Sequence, residues 1–370
     1  MNKLIENYFQ SDALNISTLR LVFNPRVLKK KLDNRAIEED QKRHYRIGDA
    51  LDILLTQGAK EFNEHYLVAP KDRPSGMMGI FIDNLPITIT EESPEEEYQN
   101  AYEISEYKQA LSTTIASLWK NEKYKSYFEY RKKAESQGKF VLSHDEYEEL
   151  VHAQKELLGN PFTRQYFMNN DPDIEIIYQL PIYFMVEEHE EGTEFEAKGL
   201  LDGVYIDHKK KTITPLDLKT IGKPISQFKQ SYLKYGYYLQ AEWYMYALEE
   251  LIKFKNWKSI GEVVIPEKTF VGDKTHELNK KFSSLSDYRV NPFNFIVSET
   301  KPFYQNPAQI FKVPAEQRKF AWRGGTHNGR YYEGLNELLT TYKWHLETNY
   351  WDMPKALYLN QGTSELDLLT

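Results

Sequence analysis

The segment that most constrains the fold runs from residue 199 to 220, where two strand-like stretches flank a polar turn. The turn is centred between Lys209 and Lys210, so an antiparallel hairpin pairs each residue with the one equally distant from that centre. In this register Asp202 lies opposite Asp217, with β carbons about 5 Å apart. The hairpin therefore predicts two neighbouring carboxylates on one face of a sheet.

Two adjacent carboxylates repel each other, and a shared Mg²⁺ or Mn²⁺ ion removes that repulsion. Lys219 follows two residues after Asp217, so it is predicted on the same face. There it can orient an attacking water or stabilise charge on a phosphate. The Asp-x-Lys spacing alone has little specificity, and the alternative is an exposed sheet face with two surface aspartates and a lysine.

The helix predicted after the hairpin adds a second pair of polar groups. Gln240 and Tyr244 are four residues apart, so they share one helix face. An amide and a phenol at that place can hold a DNA strand or brace a metal site, and the alternative is an aromatic-rich core helix. Each part is weak by itself, but the hairpin followed by Gln-x-x-x-Tyr is a specific combination.

The remaining pattern predicts a single α/β domain at 1–354 with a mixed central sheet flanked by helices. A glutamate-rich helical insertion is expected at about 91–160, and a flexible C-terminal tail at 355–370. Periodicity and cap residues predict the individual elements. The helices are expected at 17–33 with a break at Asn24-Pro25, 36–57, 98–137, 143–158, 225–233 and 237–254, and the strands at 65–69, 174–186, 197–206, 212–219, 262–271 and 293–299.

Composition excludes several classes of protein. The chain has no cysteine, so it holds no disulfide, zinc–thiolate site or cysteine-bound iron–sulfur cluster. It has no Walker A sequence, so no ATP-driven motor is expected. It has neither a membrane-length apolar run nor a signal peptide, which favours a cytoplasmic protein. The net charge of −8 is unlike that of a nonspecific nucleic-acid coat protein, but it leaves room for a local basic groove.

Together these motifs resemble the PD-(D/E)XK nuclease superfamily, and most closely its RecB-type and RecE-type exonucleases and their phage relatives, with lambda exonuclease more distant. The resemblance covers roughly 17–68 and 174–248. Within it, Ile16–Leu19 with Asn24-Pro25 is similar to the family's opening helix, and Tyr45–Asp52 to its Gly-x-x-x-His helix. The resemblance implies a restriction-endonuclease-like core in a bacterial or phage-infected host cytoplasm.

The resemblance also implies roles for individual residues. Asp202 and Asp217 would ligate the metal together with the backbone carbonyl of Leu218, and Lys219 would be the catalytic lysine. Gln240 and Tyr244 would support the site and the DNA strand.

Two positions depart from the family pattern. Asp52 stands where relatives usually carry a metal-binding histidine, and Gln179 where they often carry a glutamate, so Gln179 is at best a neutral ligand. We expect Asp52 to ligate the metal, because Gly48 allows its helix to approach the sheet and a buried carboxylate needs a cation. The alternative is an ion pair of Asp52 with Arg46 or a neighbouring lysine.

Two further signals concern partners. In the glycine-rich loop near the C-terminus, Arg323 and Arg330 stand with Arg318, Lys319 and Trp322, where they can contact phosphates and stack on bases, or simply cap the last helix. In the C-terminal tail, Leu366, Leu368 and Leu369 resemble the short leucine motif by which bacterial replication proteins dock on the sliding clamp. The alternative there is a frayed terminus.

The leading hypothesis is a Mg²⁺- or Mn²⁺-dependent DNA exonuclease that acts on double-stranded ends in recombination or end processing, alongside a single-strand annealing or replication partner. The second is a structure-specific endonuclease, for junctions or flaps, on the same site. The third is a catalytically inactive DNA-binding protein on the nuclease fold, which Asp52 and Gln179 favour and the Asp202, Asp217 and Lys219 set opposes.

Overall fold

The structure is a computed structural model that describes residues 3–34, 43–71, 73–253 and 273–364. The strand predicted at 262–271 and the three leucines of the clamp-like motif lie outside these ranges. The chain divides into two compact units. The first unit comprises 1–40, 160–297 and 308–370, and the second comprises 41–159 and 298–307.

Helices and strands follow one another in runs along the described parts of the chain. The helices are α1 (Lys3–Gln10), α2 (Ile16–Leu19), α3 (Pro25–Leu32), α4 (Arg43–Thr56), α5 (Ala59–His65), α6 (Gly76–Asn84), α7 (Gln99–Ser105), α8 (Leu111–Lys120), α9 (Glu122–Ser136), α10 (His144–Gly159), α11 (Pro161–Arg164), α12 (Phe228–Lys234), α13 (Tyr237–Lys253), α14 (Asp273–Ser284), α15 (Glu316–Arg323), α16 (Leu335–Thr348) and α17 (Lys355–Leu359). The strands are β1 (Tyr66–Val68), β2 (Phe140–Leu142), β3 (Ile174–Glu187), β4 (Glu194–Asp207), β5 (Thr212–Ile221), β6 (Arg289–Val290), β7 (Asn294–Glu299), β8 (Gln309–Lys312), β9 (Gly325–His327) and β10 (Arg330–Tyr332).

The main sheet has the strand order β3-β4-β5-β7-β8, and β6 pairs with β5. Strands β3, β4 and β5 are antiparallel, whereas β6 runs parallel to β5, so the mixed sheet flanked by helices is confirmed. In the β4–β5 hairpin Gly203 pairs with Leu216 and Ile206 with Ile213. This is the register predicted from the turn at Lys209 and Lys210.

Helix α13 lies against the sheet and forms much of the core of the first unit. Trp243, Ala247 and Leu248 are buried on it and cluster with apolar residues of β3 and β4. Gly199 on β4 makes this close packing possible, because a β carbon there would meet the Tyr244 ring at 3.1 Å. The helix is thereby held over the strand that carries Asp202.

The N-terminal segment is fastened to β4. Leu14 forms a parallel bridge with Ala197, and its backbone exchanges hydrogen bonds with Glu196 and Lys198. The Lys198 side chain is buried, with its Nζ donating at 2.6 Å to the carbonyls of both Tyr8 and Ser11. The ammonium group thus caps the chain where α1 ends.

The second unit is mostly helical, and its segment 41–159 includes most of the insertion predicted at about 91–160. Its apolar core contains Phe81, Tyr98 and Phe128. The predicted cap at Ser143 is confirmed: Ser143 N donates to Glu146 and Glu146 N donates to Ser143 Oγ, which is a reciprocal capping box at the start of α10.

Several elements differ from the predictions. Helix α6 was not predicted, because its evenly apolar sequence lacks an amphipathic period. The glycine-rich loop contains the β9–β10 hairpin, whose turn residues Asn328 and Gly329 have φ of +50° and +76°. The segment predicted as a flexible tail contains α17.

Among the described residues, no helix has the length and apolar character needed to cross a membrane.

Candidate active site

The candidate site forms where the β4–β5 ladder ends. The last backbone pair joins Gly203 to Leu216, so continuing the same register brings Asp202 opposite Asp217. Beyond this pair, the backbone N–H of Leu218 donates to a side chain of β4: the acceptor is Asp202 Oδ2, at 2.9 Å. This bond holds the Asp202 carboxylate against the strand that carries Asp217.

Asp217 is the buried centre of the site, with only 1% of its surface exposed. Its Oδ2 lies 2.6 Å from Lys219 Nζ, and its Oδ1 accepts a hydrogen bond of 2.8 Å from Gln240 Nε2. Burial raises the pKa of the Asp217 carboxyl above its ordinary value, although the nearby Lys219 acts in the opposite direction. A carboxylate in this position is stabilised by any cation that reaches it.

Lys219 is held by opposite charge. Burial acts to lower the pKa of its ammonium group, but the charges of Asp217 and Asp202 outweigh that effect and raise the pKa above its ordinary value. The side chain therefore stays protonated at neutral pH. A half-buried ammonium beside two carboxylates can neutralise developing charge on a phosphate.

Gln240 and Tyr244 lie one turn apart on α13, as predicted, and both reach the site. Gln240 Nε2 is 3.5 Å from the Tyr244 hydroxyl as well as 2.8 Å from Asp217. Burial raises the pKa of Tyr244 well above its ordinary value, so the group remains a phenol. Gln240 thus braces the buried carboxylate from the helix, and the Tyr244 phenol lies beside that amide.

Tyr237 also lies at the site, and it was not predicted from the sequence. Lys219 Nζ lies 5.1 Å from the centre of its ring, within the range of a cation–π contact. The ring stacks on buried Phe228 at 5.8 Å and 23°, which fixes its position. Its position one helical turn before Gln240 suggested the same face, but the sequence alone does not distinguish Tyr237 from the neighbouring tyrosines.

Gln179 has an unusual backbone beside the site. Gln179 lies opposite Asp202, because the flanking pairs join Tyr178 to Gly203 and Leu180 to Leu201. The backbone pairing of the two strands is interrupted at Gln179 itself. Its φ is +51°, a left-handed conformation that costs about 1–2 kcal/mol for a residue other than glycine. Such strain is commonest at functional sites, so Gln179 stays a candidate neutral ligand.

The predicted role of Asp52 in metal binding stays a prediction. Asp52 lies on α4 in the second unit, where its Oδ1 is buried and its charge helps to raise the pKa of Tyr66 to about 12, after the larger effects of burial and Asp49. Arg46, its predicted alternative partner, donates to Glu146 at 2.7 Å. Across the described ranges, no three His, Asp or Glu side chains form a metal-binding group.

Of the cationic residues near the C-terminus, Arg318 is ion-paired within the protein, whereas Arg323 and Arg330 are exposed. Arg318, predicted to contact phosphates, instead donates to Glu242 at 2.9 Å and to Glu249 at 2.6 Å, and Trp322 Nε1 also donates to Glu242. These two residues therefore tie α15 to α13 inside the protein. Arg323 and Arg330 are exposed, and Arg330 lies 5.4 Å from the Tyr332 ring, so their predicted contacts with DNA stay open.

A comparison of the sequence with models of known protein families finds no match, and a comparison with curated proteins finds none either.

Proposed function

We propose that the protein is a metal-dependent nuclease that hydrolyses phosphodiester bonds in DNA, acting as an exonuclease on double-stranded ends. The observation that carries the proposal is the arrangement around Asp217, which lies 2.6 Å from Lys219 and accepts a hydrogen bond from Gln240. Asp202 completes the arrangement from the neighbouring strand. The mixed sheet with this hairpin is compatible with the restriction-endonuclease-like core that the sequence resembles.

The residues of the site fit a hard divalent cation. Asp202, Asp217 and the Leu218 carbonyl would offer oxygen ligands only, which suits Mg²⁺ or Mn²⁺. Mg²⁺ commonly takes one or two protein carboxylates and completes its shell with water and substrate phosphate, so two aspartates suffice. When bound, the ion would lower the pKa of a water and neutralise the scissile phosphate.

The side chains of this chain supply the other requirements of the reaction. The protonated Lys219 would stabilise negative charge on the phosphate, and its contact with Asp217 would keep it in place. Gln240 would orient Asp217 through Oδ1. In this scheme water attacks the phosphorus and one bridging P–O bond breaks, so that one product keeps the phosphate, the other gains a hydroxyl, and no side chain forms a covalent intermediate.

The test is incubation of the purified chain with end-labelled linear duplex DNA in Mg²⁺, Mn²⁺ or EDTA. We expect nucleotides to be released from the ends with either metal and none in EDTA. Lys219→Ala, purified in the same way, controls for a contaminating nuclease. Equal release by the parent and this variant would contradict the proposal.

Covalently closed circular DNA of the same sequence separates the modes of attack. An exonuclease leaves the closed circle intact while it degrades the linear form. Nicking or linearisation of the circle would instead indicate the endonuclease that the same site can support.

A further inference from the structure

The stretch from the end of β5, through the connection, to the start of α13 has an uncommon charge distribution. Residues 218–241 contain four lysines, four tyrosines and neither Asp nor Glu, in a chain with 55 acidic residues. The first of these lysines is Lys219, and the other three, Lys223, Lys229 and Lys234, are exposed. This lysine–tyrosine segment therefore forms a positive stretch that begins at the candidate site.

Aromatic contacts connect the exposed part of the segment to the site. Tyr235 is 44% exposed, and its ring centre lies 5.8 Å from that of Tyr237. Tyr237 in turn lies 5.1 Å from Lys219 Nζ. Lys234 Nζ is 5.7 Å from the Tyr235 ring, so the accessible aromatic ring has a cation beside it. Tyr237 thus contacts both Tyr235 and the lysine of the candidate site.

The turn that presents Tyr235 is firmly supported. Gly236 adopts φ +63°, and the Arg20 guanidinium packs against it so closely that a β carbon would lie 3.1 Å from Arg20 Cζ. Tyr237 packs on Phe228 and Phe295, both buried in the core. An exposed ring on such a support loses little conformational entropy when a ligand stacks on it.

We propose that the lysine–tyrosine segment binds single-stranded DNA beside the scissile phosphate, with a base stacked on Tyr235 and backbone phosphates near Lys223, Lys229 and Lys234. This inference rests on the proposed nuclease function and names the form of DNA that reaches the site. The tyrosine face accepts an unpaired base, and the lysines neutralise phosphates regardless of sequence. The segment would hold the strand that separates from a duplex end.

Binding measured in EDTA tests the stacking, because no metal-dependent cleavage occurs there. Fluorescence anisotropy would compare a labelled single-stranded oligonucleotide with its duplex. We expect Tyr235→Ala to weaken single-strand binding about tenfold, or about 1.4 kcal/mol, and duplex binding much less. Tyr235→Phe should bind like the parent, because the ring remains. Tyr358→Ala is the control, since Tyr358 is 47% exposed on α17.

Salt dependence tests the lysines. The triple change Lys223→Gln, Lys229→Gln and Lys234→Gln should lower the slope of log Kd against log salt by about 2, at about 0.7 for each phosphate no longer neutralised. The same triple change at Lys71, Lys120 and Lys123, which are exposed in the second unit, alters net charge equally and should leave the slope unchanged.

The outcomes separate this inference from the proposed function. Cleavage of linear DNA by the parent, combined with unchanged single-strand binding by Tyr235→Ala and the first lysine triple, overturns the inference and leaves the nuclease intact. Equal losses for single strand and duplex also overturn it. Tyrosine-dependent single-strand binding without any metal-dependent cleavage supports the binding segment and overturns the nuclease.

Discussion

Gln240 on α13 donates a hydrogen bond of 2.8 Å to Asp217 on β5, so a helix and a strand meet at one buried carboxylate. The bond occupies Oδ1 and leaves Oδ2 to Lys219. The amide therefore holds the carboxylate in one orientation, with Oδ2 towards the lysine ammonium.

Lys219→Ala should reduce DNA cleavage by roughly 100-fold to 1,000-fold or more, because a fixed positive charge is lost beside the scissile phosphate. Mn²⁺ and DNA binding should remain close to those of the parent. Asp217→Ala should lose both Mn²⁺ binding and cleavage. Lys209→Ala, at the exposed turn of the same hairpin, is the matched control. Near-normal cleavage by either site variant would refute the assignment, as measured by titration calorimetry and end-labelled DNA.

Gly199→Ala should destabilise the protein by about 1–3 kcal/mol, because the new methyl group would meet Tyr244 Cδ1 at 3.1 Å and overpack the helix against the strand. Displacement of Tyr244 should also lower cleavage. Gly159→Ala is the control, since nothing lies within 4 Å of a β carbon there and alanine suits the helix at least as well. Urea unfolding of both variants would decide, and equal stabilities would show that Gly199 is not a packing requirement.

Burial of Lys198 should make the free energy of unfolding increase with pH in the alkaline range. Burial lowers its pKa from 10.5 to about 8, so between these values the unfolded chain binds more protons than the folded one. The free energy of unfolding should therefore rise from pH 8 to pH 10.5, relative to Lys198→Met, by on the order of 1–3 kcal/mol. Parallel pH profiles for parent and variant would contradict this, because the other titrating groups are common to both.

Asp52→Asn tests the predicted metal ligand: Mn²⁺ binding should weaken and cleavage should fall in parallel. Asp49→Asn is the control, because Asp49 lies on the same helix and is exposed. Calorimetric titration with Mn²⁺ gives the answer independently of activity. A variant that binds Mn²⁺ and cuts DNA like the parent would show that Asp52 has a structural role only.

The predictable parts of the site are those set by short-range geometry. The register that brings Asp202 opposite Asp217 follows from a tight turn and strand alternation, and the shared face of Gln240 and Tyr244 follows from the helical repeat. The cap at Ser143 is likewise local, since its partner is three residues away. In each case neighbours along the chain determine the arrangement.

The unpredictable parts depend on distant partners. The sequence suggested that Arg318 could contact phosphate. In the structure its guanidinium group instead donates to Glu242, which lies 76 positions away in sequence. Three-residue strands such as β2 are too short to show a period, and β2 pairs with β1 across a long separation. The left-handed backbone of Gln179 could not be predicted from the sequence, because glutamine has no preference for that conformation.

The anchoring of α1 by Lys198 has a consequence for the order of folding. The two carbonyls that Lys198 holds lie 190 and 187 positions before it, and the bridge from Leu14 reaches the same strand. A ribosome must therefore complete more than half of the 370 residues before the first helix can be fastened. Until β4 has left the exit tunnel, α1 remains unsecured on the nascent chain, open to chaperones and proteases.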